Sequence, residues 1–363
     1  MTLICFTWWG CEENLDTITI QEEPQLCVNA LWDNTTPTHR IYCSCISQGE
    51  STPVQDAVIE ISVNGQLVET LDHPSDQEPG VYLSTCTMQT GDTLLLRAVS
   101  PAFPQGVWAE AIVPQPFVVT EASAEIEYQS FHNDIASPYY QTALSLQKQS
   151  PTAYYGRLLS SIHSTQVYGR LTMDFSTGDI LEEFSDTLVT DSVFEVKVLD
   201  DLCLTQGKGY VENPEDDMLG YNPVWQNHYH LFTDKYFSGD TYLMHYYVSC
   251  DASGFSLLPY GSSTILNRNH PLYGHRYKVL SVSADGHIKT ILYDKECIVN
   301  LFYEVHSISS SEYYYLQTLS AERDLTDTNM AYSKPRFIPQ NVHNGLGFFA
   351  IENVTRGRIS IEK

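Results

Sequence analysis

The chain has 363 residues, more than one ordinary domain needs, and its 42% hydrophobic and 18% charged residues are those of a folded protein rather than a disordered one. Nineteen Lys+Arg against 45 Asp+Glu leave a formal net charge of −26, which argues against nucleic acid and anionic lipid headgroups as partners, because both require basic patches. No window approaches the roughly 20 apolar residues of a spanning helix, and 24 tyrosines among many Val, Thr and Ile favour strands.

The first ten residues, MTLICFTWWG, are apolar but too short and too poor in Lys/Arg for a complete secretion signal; they read as its stub. Cys11 follows, and then the acidic stretch EENLDTITIQEEP, with no core signal before Leu26, which reads as a tether over 11–24. The nine cysteines are odd in number and irregularly spaced, with no CxxC, so neither a zinc ribbon nor a thioredoxin motif is indicated. Cys43 and Cys45 fall in an alternating run, where a buried apolar role is favoured over metal binding.

Short strands separated by turn residues follow from QLCVNALWD onward: HRIYCSCIS, AVIEISVNGQLVETL, GVYLSTCTM, DTLLLRAVS and GVWAEAIVP. Asn64-Gly65 supplies the positive-φ pair of a tight hairpin, and the spacing is that of an antiparallel sandwich. An immunoglobulin-like β-sandwich is therefore expected over 25–119, closed by Pro114 and Pro116, and a larger β-rich domain, barrel-like or sandwich, over 120–363. Its candidate strands include QVYGRLTMDFS, SVFEVKVLD, NHYHLFTD, TYLMHYYVSC, HRYKVLSVS, CIVNLFYEVHSIS and GRISIE. One segment breaks the pattern. In SISSSEYYYLQTLSAER, Ser309 and Glu312 fit a capping box and Tyr315, Leu316 and Leu319 form an apolar face, so a single helix is expected at about 310–322. The fold class is thus mainly all-β.

Candidates for chemistry are few. If NHYHLFTD is a strand, His228 and His230 point to one face, and His245 on a neighbouring strand would complete a three-histidine metal site; hydrogen-bonded histidines among tyrosines are the favoured reading. Calcium is the better match for ENPEDD, where Glu215, Asp216 and Asp217 cluster without the spacing of an EF-hand. Adjacent acids elsewhere, including Asp200-Asp201, read as solvated. No nucleophile elbow, P-loop or GxGxxG occurs, so no catalytic residue and no cofactor are assigned. Adjacent tyrosines such as Tyr139-Tyr140, Tyr154-Tyr155, Tyr246-Tyr247 and Tyr313–Tyr315 would place one ring in a core and leave another for ligand or protein contact. In NGLGFF, Gly345 and Gly347 are read as permitting close backbone approach, with Leu346, Phe348 and Phe349 anchoring the last strand.

Several of these stretches, in order, resemble one family. VQDAVIEISVNGQLVETL, PGVYLST and GDTLLLRAVSPAFPQGVWAEAIVPQP are similar to the opening domain of the Bacteroidetes family called domain of unknown function 4249. HLFTDKYFSGDTYLMHYYV, ISSSEYYYLQTLS and IPQNVHNGLGFFA resemble its middle stretch, its helix and its closing motif, the last being the most specific. Departures are His343, where a small or acidic residue is commoner, and Phe349-Ala350 in place of Phe-Gly.

The family has no agreed activity, but the resemblance implies an address. Its members are outer-membrane lipoproteins, often encoded beside TonB-dependent transporters. Cys11 would then be the acylated (palmitate-bearing) first residue of the mature chain, and the glutamates after it the signal for an outward-facing position. The expected function is a surface-exposed, non-enzymatic lipoprotein held on the membrane by its lipid anchor, binding an unidentified ligand or serving a TonB-dependent transporter. The alternatives are a surface metal-dependent hydrolase and a structural or adhesive envelope protein.

Overall fold

Alternation of apolar and polar residues between turns gives a mainly all-β molecule, with one α-helix among the described residues. The computed structural model describes residues 23–129, 137–198, 201–207, 227–249, 272, 277–327 and 338–361. Eight strands build the N-terminal part: β1 (Gln25–Asp33), β2 (His39–Ser47), β3 (Glu50–Pro53), β4 (Val58–Val63), β5 (Gln66–Leu71), β6 (Val81–Ser84), β7 (Thr93–Ser100) and β8 (Phe103–Ile112). There follow β9 (Val118–Gln129), β10 (Ser137–Gln147), β11 (Tyr155–Asp174), β12 (Ile180–Val198), β13 (Leu231–Thr233), β14 (Thr241–Ser249), β15 (Tyr277–Val282) and β16 (Ile288–Ile308). Helix α1 (Ser310–Asp327) and β17 (Leu346–Ile361) complete the chain.

The N-terminal strands pack as two facing layers. One is a four-stranded sheet in the order β5-β4-β7-β8; the other is the β3-β2-β1 end of a thirteen-stranded sheet, with β6 on β2. In β4, Ile59 and Ile61 are fully buried while Glu60 faces out, the period-2 pattern of a half-buried strand. Asn64 and Gly65, at φ 50° and 78°, close the expected β4–β5 hairpin. Between the layers lie Trp32, Ile41, Ile59, Ile61, Tyr82, Leu94 and Leu96. Cys43 is buried among them and Cys45 packs at their edge. Burial pushes the Cys43 thiol up to about 12, so it serves as an apolar filler.

This sandwich is not made by the N-terminal segment alone. Residues Cys27–Asp33 of β1 pair in parallel with Leu346–Glu352 of β17, and Val342, Phe349 and Ile351 join the core of Trp32 and Ile59. The second half of β17, Asn353–Ile361, pairs antiparallel with β16. One strand thus belongs to both parts of the molecule. Its burial follows that division: the first half is buried on both faces, and the second alternates.

From β17 the large sheet continues β16-β11-β12-β14-β10-β9, with β13 on β11 and β15 on β16. Among the described residues it does not close into a barrel. Phe117, Leu144, Leu158, Ile162, Phe232, Tyr246, Leu301 and Val305 form its main core. Strands β11 and β16 run on beyond that core, pairing from Tyr155–Ile308 to Asp174–Ile288, and bury a small second cluster around Leu171, Met173, Tyr277 and Ile291. Helix α1 starts where expected and continues past residue 322 to Asp327. Its N-cap is Ser309, whose Oγ accepts the Glu312 N–H at 3.1 Å.

Candidate functional site

Two of the histidines proposed as ligands are not on a strand. Asn227 folds the residues before β13 into a turn: its Oδ1 accepts the Leu231 N–H at 2.7 Å, and its Nδ2 donates to the Leu231 and Leu204 carbonyls at 2.7 and 2.9 Å. The His230 N–H closes the turn on the Asn227 carbonyl, with His230 at φ 50°. A single side chain at position 227 thus replaces the ladder that the alternation suggested. His230 Nδ1 then lies 3.0 Å from the Leu158 carbonyl, and the His228 N–H donates to Ser320 Oγ of α1. His245 sits on β14 opposite Ala143. Among the described residues no group of three or more His, Cys, Asp or Glu side chains is placed to hold a metal ion. Cys11 and the Glu215, Asp216 and Asp217 run lie outside the described residues, as do His270 and His275.

Asp201, read from sequence as solvated, is buried. Its carboxylate accepts the N–H groups of Cys203 (2.7 Å), Leu204 (3.3 Å) and His245 (3.0 Å), and the Tyr242 hydroxyl lies 3.1 Å from both oxygens. The ladder between β12 and β14 reaches only Val196 and Val198, so Asp201 supplies the acceptor that the β14 edge would otherwise lack. Burial pushes the Asp201 pKa above the usual carboxylate range against the pull of those donors. The group holds the 201–207 turn onto β14 and is fully occupied in doing so.

The largest set of titratable groups lies where α1 crosses β11, β16 and β17. Glu352 of β17 faces Arg157 of β11, with Nε 2.9 Å from Oε1 and Nη2 donating to Oε2 at 3.0 Å. His306 Nδ1 of β16 is 2.5 Å from the same Oε2, and its Nε2 is 3.2 Å from Glu304. Arg356 extends the chain of charges outward, donating to Glu304 at 2.7 Å and to Asp33 of β1. Beneath the helix lies Glu312, with 0% of its surface exposed. The second limb of the expected capping box does not close: neither Glu312 oxygen has a donor at hydrogen-bonding geometry. Instead the carboxyl lies near enough to that of Glu352 for the two to interact electrostatically.

Environment separates the two acids. Burial raises Glu312 well above the ordinary glutamate value, and the Glu352 charge adds to this; Arg157 and the Ser309 N–H oppose it without prevailing. Burial raises Glu352 too, but its bond to His306 and the charge of Arg157 outweigh that and hold it below the ordinary value. Glu312, Glu352 and His306 form the buried centre of the cluster, with Arg157, Glu304 and Arg356 partly exposed at its rim, and together they fasten α1, β11, β16 and β17.

Next to it the closing motif lies between the sandwich core and helix α1. Phe348 stacks on Tyr315 of α1, with centroids 4.2 Å apart and planes at 9°, while Phe349 meets Trp32 edge-on at 5.2 Å. Asn341 pins the strand through the Phe349 N–H (2.8 Å) and carbonyl (2.6 Å), and Asn29 Oδ1 of β1 accepts the Phe348 N–H. His343, the departure from the family pattern, stacks on Trp108 at 3.9 Å and exchanges two backbone hydrogen bonds with it. The motif is therefore a seam between the sandwich and the large sheet. The model of the family DUF4249, a domain of unknown function, matches residues 12–358.

The chain belongs to that family. The match covers both parts of the molecule and ends within β17. No curated protein matches the chain. Among solved structures it is similar to a protein of Corynebacterium diphtheriae provisionally described as membrane anchored (10% identity, 91% of this chain and 58% of that one, TM-score 0.18). It is also similar to the C-terminal globular domain of an oligosaccharyltransferase from Pyrococcus abyssi (11% identity, 62% and 46%, TM-score 0.11) and to the BSP domain of a biofilm-associated protein (6% identity, 93% and 59%, TM-score 0.14). The chain spans 46–59% of those chains' lengths, and at such TM-scores none of the three bears on its fold or role.

Proposed function

We propose that this member of DUF4249 is a lipid-anchored outer-membrane protein facing the cell exterior, without enzymatic activity, that binds a ligand or serves as accessory to a TonB-dependent transporter. The observation that carries the anchor is Cys11, preceded by an apolar run ending in Gly10 and followed at once by Glu12-Glu13. The family match begins at residue 12, and a mature chain starting at Cys11 would contain all of it. Among the described residues no helix is long and apolar enough to cross a membrane, so an acylated cysteine is the anchor this reading needs. Each buried methylene of an acyl chain contributes about 0.8 kcal/mol, and two or more chains anchor stably. The accessory role rests on the family resemblance, and the exposed rings of Tyr42 on β2 and Tyr314 on α1 are suited to a protein contact.

Growth with an alkynyl fatty acid tests the anchor: the wild type should carry the label and fractionate with the outer membrane, and Cys11→Ala should lose both. Retention of the label in Cys11→Ala would sink it. Cross-linking on intact cells tests the partner: recovery of a TonB-dependent transporter supports the accessory role, whereas recovery of the anchored protein alone removes it. Tight zinc or calcium in the purified protein would instead favour a hydrolase, and adhesion to other cells without a transporter an envelope component.

A further inference from the structure

The Glu312 carboxyl is fully buried, yet among the described residues neither of its oxygens has a hydrogen-bond partner at ordinary geometry. An ionised carboxylate in that position would have only the Ser309 N–H and the more distant Arg157 charge to set against the cost of burial, too little for a buried anion. What it meets is a second carboxyl, Glu352, and two carboxyl groups can bond only if one of them carries a proton. Glu352 already receives Arg157 and His306, so the proton belongs on Glu312, which donates while Glu352 accepts.

We propose that Glu312 and Glu352 share a single proton that seats helix α1 on the sheet, and that loss of this proton releases the helix. The pair then acts as a pH-sensitive latch between α1 and the seam.

All the elements packed around the pair are consistent with this. Strand β11 contributes Arg157, β16 contributes His306 and Glu304, and β17 contributes Glu352 and, further out, Arg356. The 227–230 turn reaches the helix through the His228 N–H and the ring of Tyr229 and brings no carboxylate. One full cation, Arg157, contacts Glu352, and removing the proton from Glu312 would set two anions against each other beneath the first turn of the helix. Among the described residues the remaining contacts of α1 bring no charged group: Tyr313 and Leu316 pack on Leu231 and Ile308, Tyr315 on Phe348, and Gln206 of the 201–207 turn donates to the Tyr313 hydroxyl at 2.5 Å. Because Phe348 belongs to β17, unseating the helix also frees one face of the strand that closes the sandwich.

The sign is fixed by the direction of the shift. With Glu312 raised, the folded state binds more protons than the unfolded one between the ordinary glutamate value and the raised one, so stability is full below that window and falls as pH rises through it. One proton gives at most a tenfold loss of helix protection per pH unit.

Hydrogen–deuterium exchange of the full chain, followed on α1 peptides from about pH 5 to about pH 9 and corrected for intrinsic rates, tests this. Protection of α1 in the wild type should fall by up to tenfold per pH unit within part of that range. Glu312→Gln, which keeps an N–H donor toward Glu352 and cannot ionise, should stay flat. Infrared difference spectra of the wild type should also show a protonated carboxyl band at neutral pH. Wild-type α1 protection independent of pH would overturn the proposal even if Glu312→Gln failed to fold, and so would absence of the carboxyl band.

Discussion

Replacing Gly347 by alanine is the sharpest perturbation the seam allows, and neighbouring glycines separate its causes. A Cβ on Gly347 would lie 2.0 Å from the Val28 carbonyl oxygen and 2.7 Å from its carbon, and the residue sits at φ +117°. Gly286 has the backbone cost without the clash: φ is +79° and nothing lies within 4 Å of its Cβ. Gly345 has the clash without a positive φ, its Cβ meeting the Leu26 carbonyl oxygen at 2.4 Å and Val107 Cγ1 at 2.5 Å. A positive φ costs an L residue roughly 1–2 kcal/mol, and forcing packed backbone apart costs about 1–3 kcal/mol. Gly286→Ala should therefore lose about 1–2 kcal/mol, Gly345→Ala about 1–3 kcal/mol, and Gly347→Ala their sum, about 2–5 kcal/mol. The last value is a large part of the 5–15 kcal/mol that holds a typical domain. Urea midpoints of the three variants at a common slope give the comparison. If Gly347→Ala unfolds no more easily than Gly286→Ala, the close approach of β1 and β17 is not what these glycines serve.

Glu352→Gln leaves Arg157 and His306 without their shared anion, and loss of one partner from a buried ion pair should cost about 3–5 kcal/mol by denaturant unfolding. Because Glu352 is held below the ordinary value when folded, the wild type should lose stability as pH falls through that lowered value, and Glu352→Gln should lack this acid limb in a pH series of melting temperatures. Ser309→Ala removes the acceptor for the Glu312 N–H and should cost about 1 kcal/mol, with faster amide exchange confined to the first turn of α1. Burial puts the Cys43 and Cys203 thiols at about 12, so at mildly alkaline pH both should resist alkylation until the protein is unfolded, with half-buried Cys45 reacting first; mass spectrometry of the modified peptides reads the order.

Much of the candidate chemistry failed to follow from local pattern for identifiable reasons. The alternation in NHYHLFTD suggested a strand carrying two histidines, but the Asn227 side chain competes for the backbone donors and makes a turn, leaving only Leu231–Thr233 in the ladder. Asp201 looked like one of many surface acids because nothing in its neighbours announces that β12 stops short of β14 there. Glu312 was legible as a capping residue, and its Ser309 partner does cap the helix; that its own side chain would turn toward Glu352 depends on a residue forty positions later.

The sequence by itself determined the all-β class, the hairpin at Asn64-Gly65, the place where the single helix begins and the family, because period-2 alternation, turn glycines, caps and motif order are local properties of the chain. Tertiary structure alone decided that β17 lies parallel to β1 and completes the sandwich, and that Arg157, His306, Glu312 and Glu352 meet beneath α1. Those contacts join residues as much as 323 positions apart, where Arg356 of β17 donates to Asp33 of β1. No local pattern encodes such a meeting; it follows from the packing that buries both faces of the first half of the last strand.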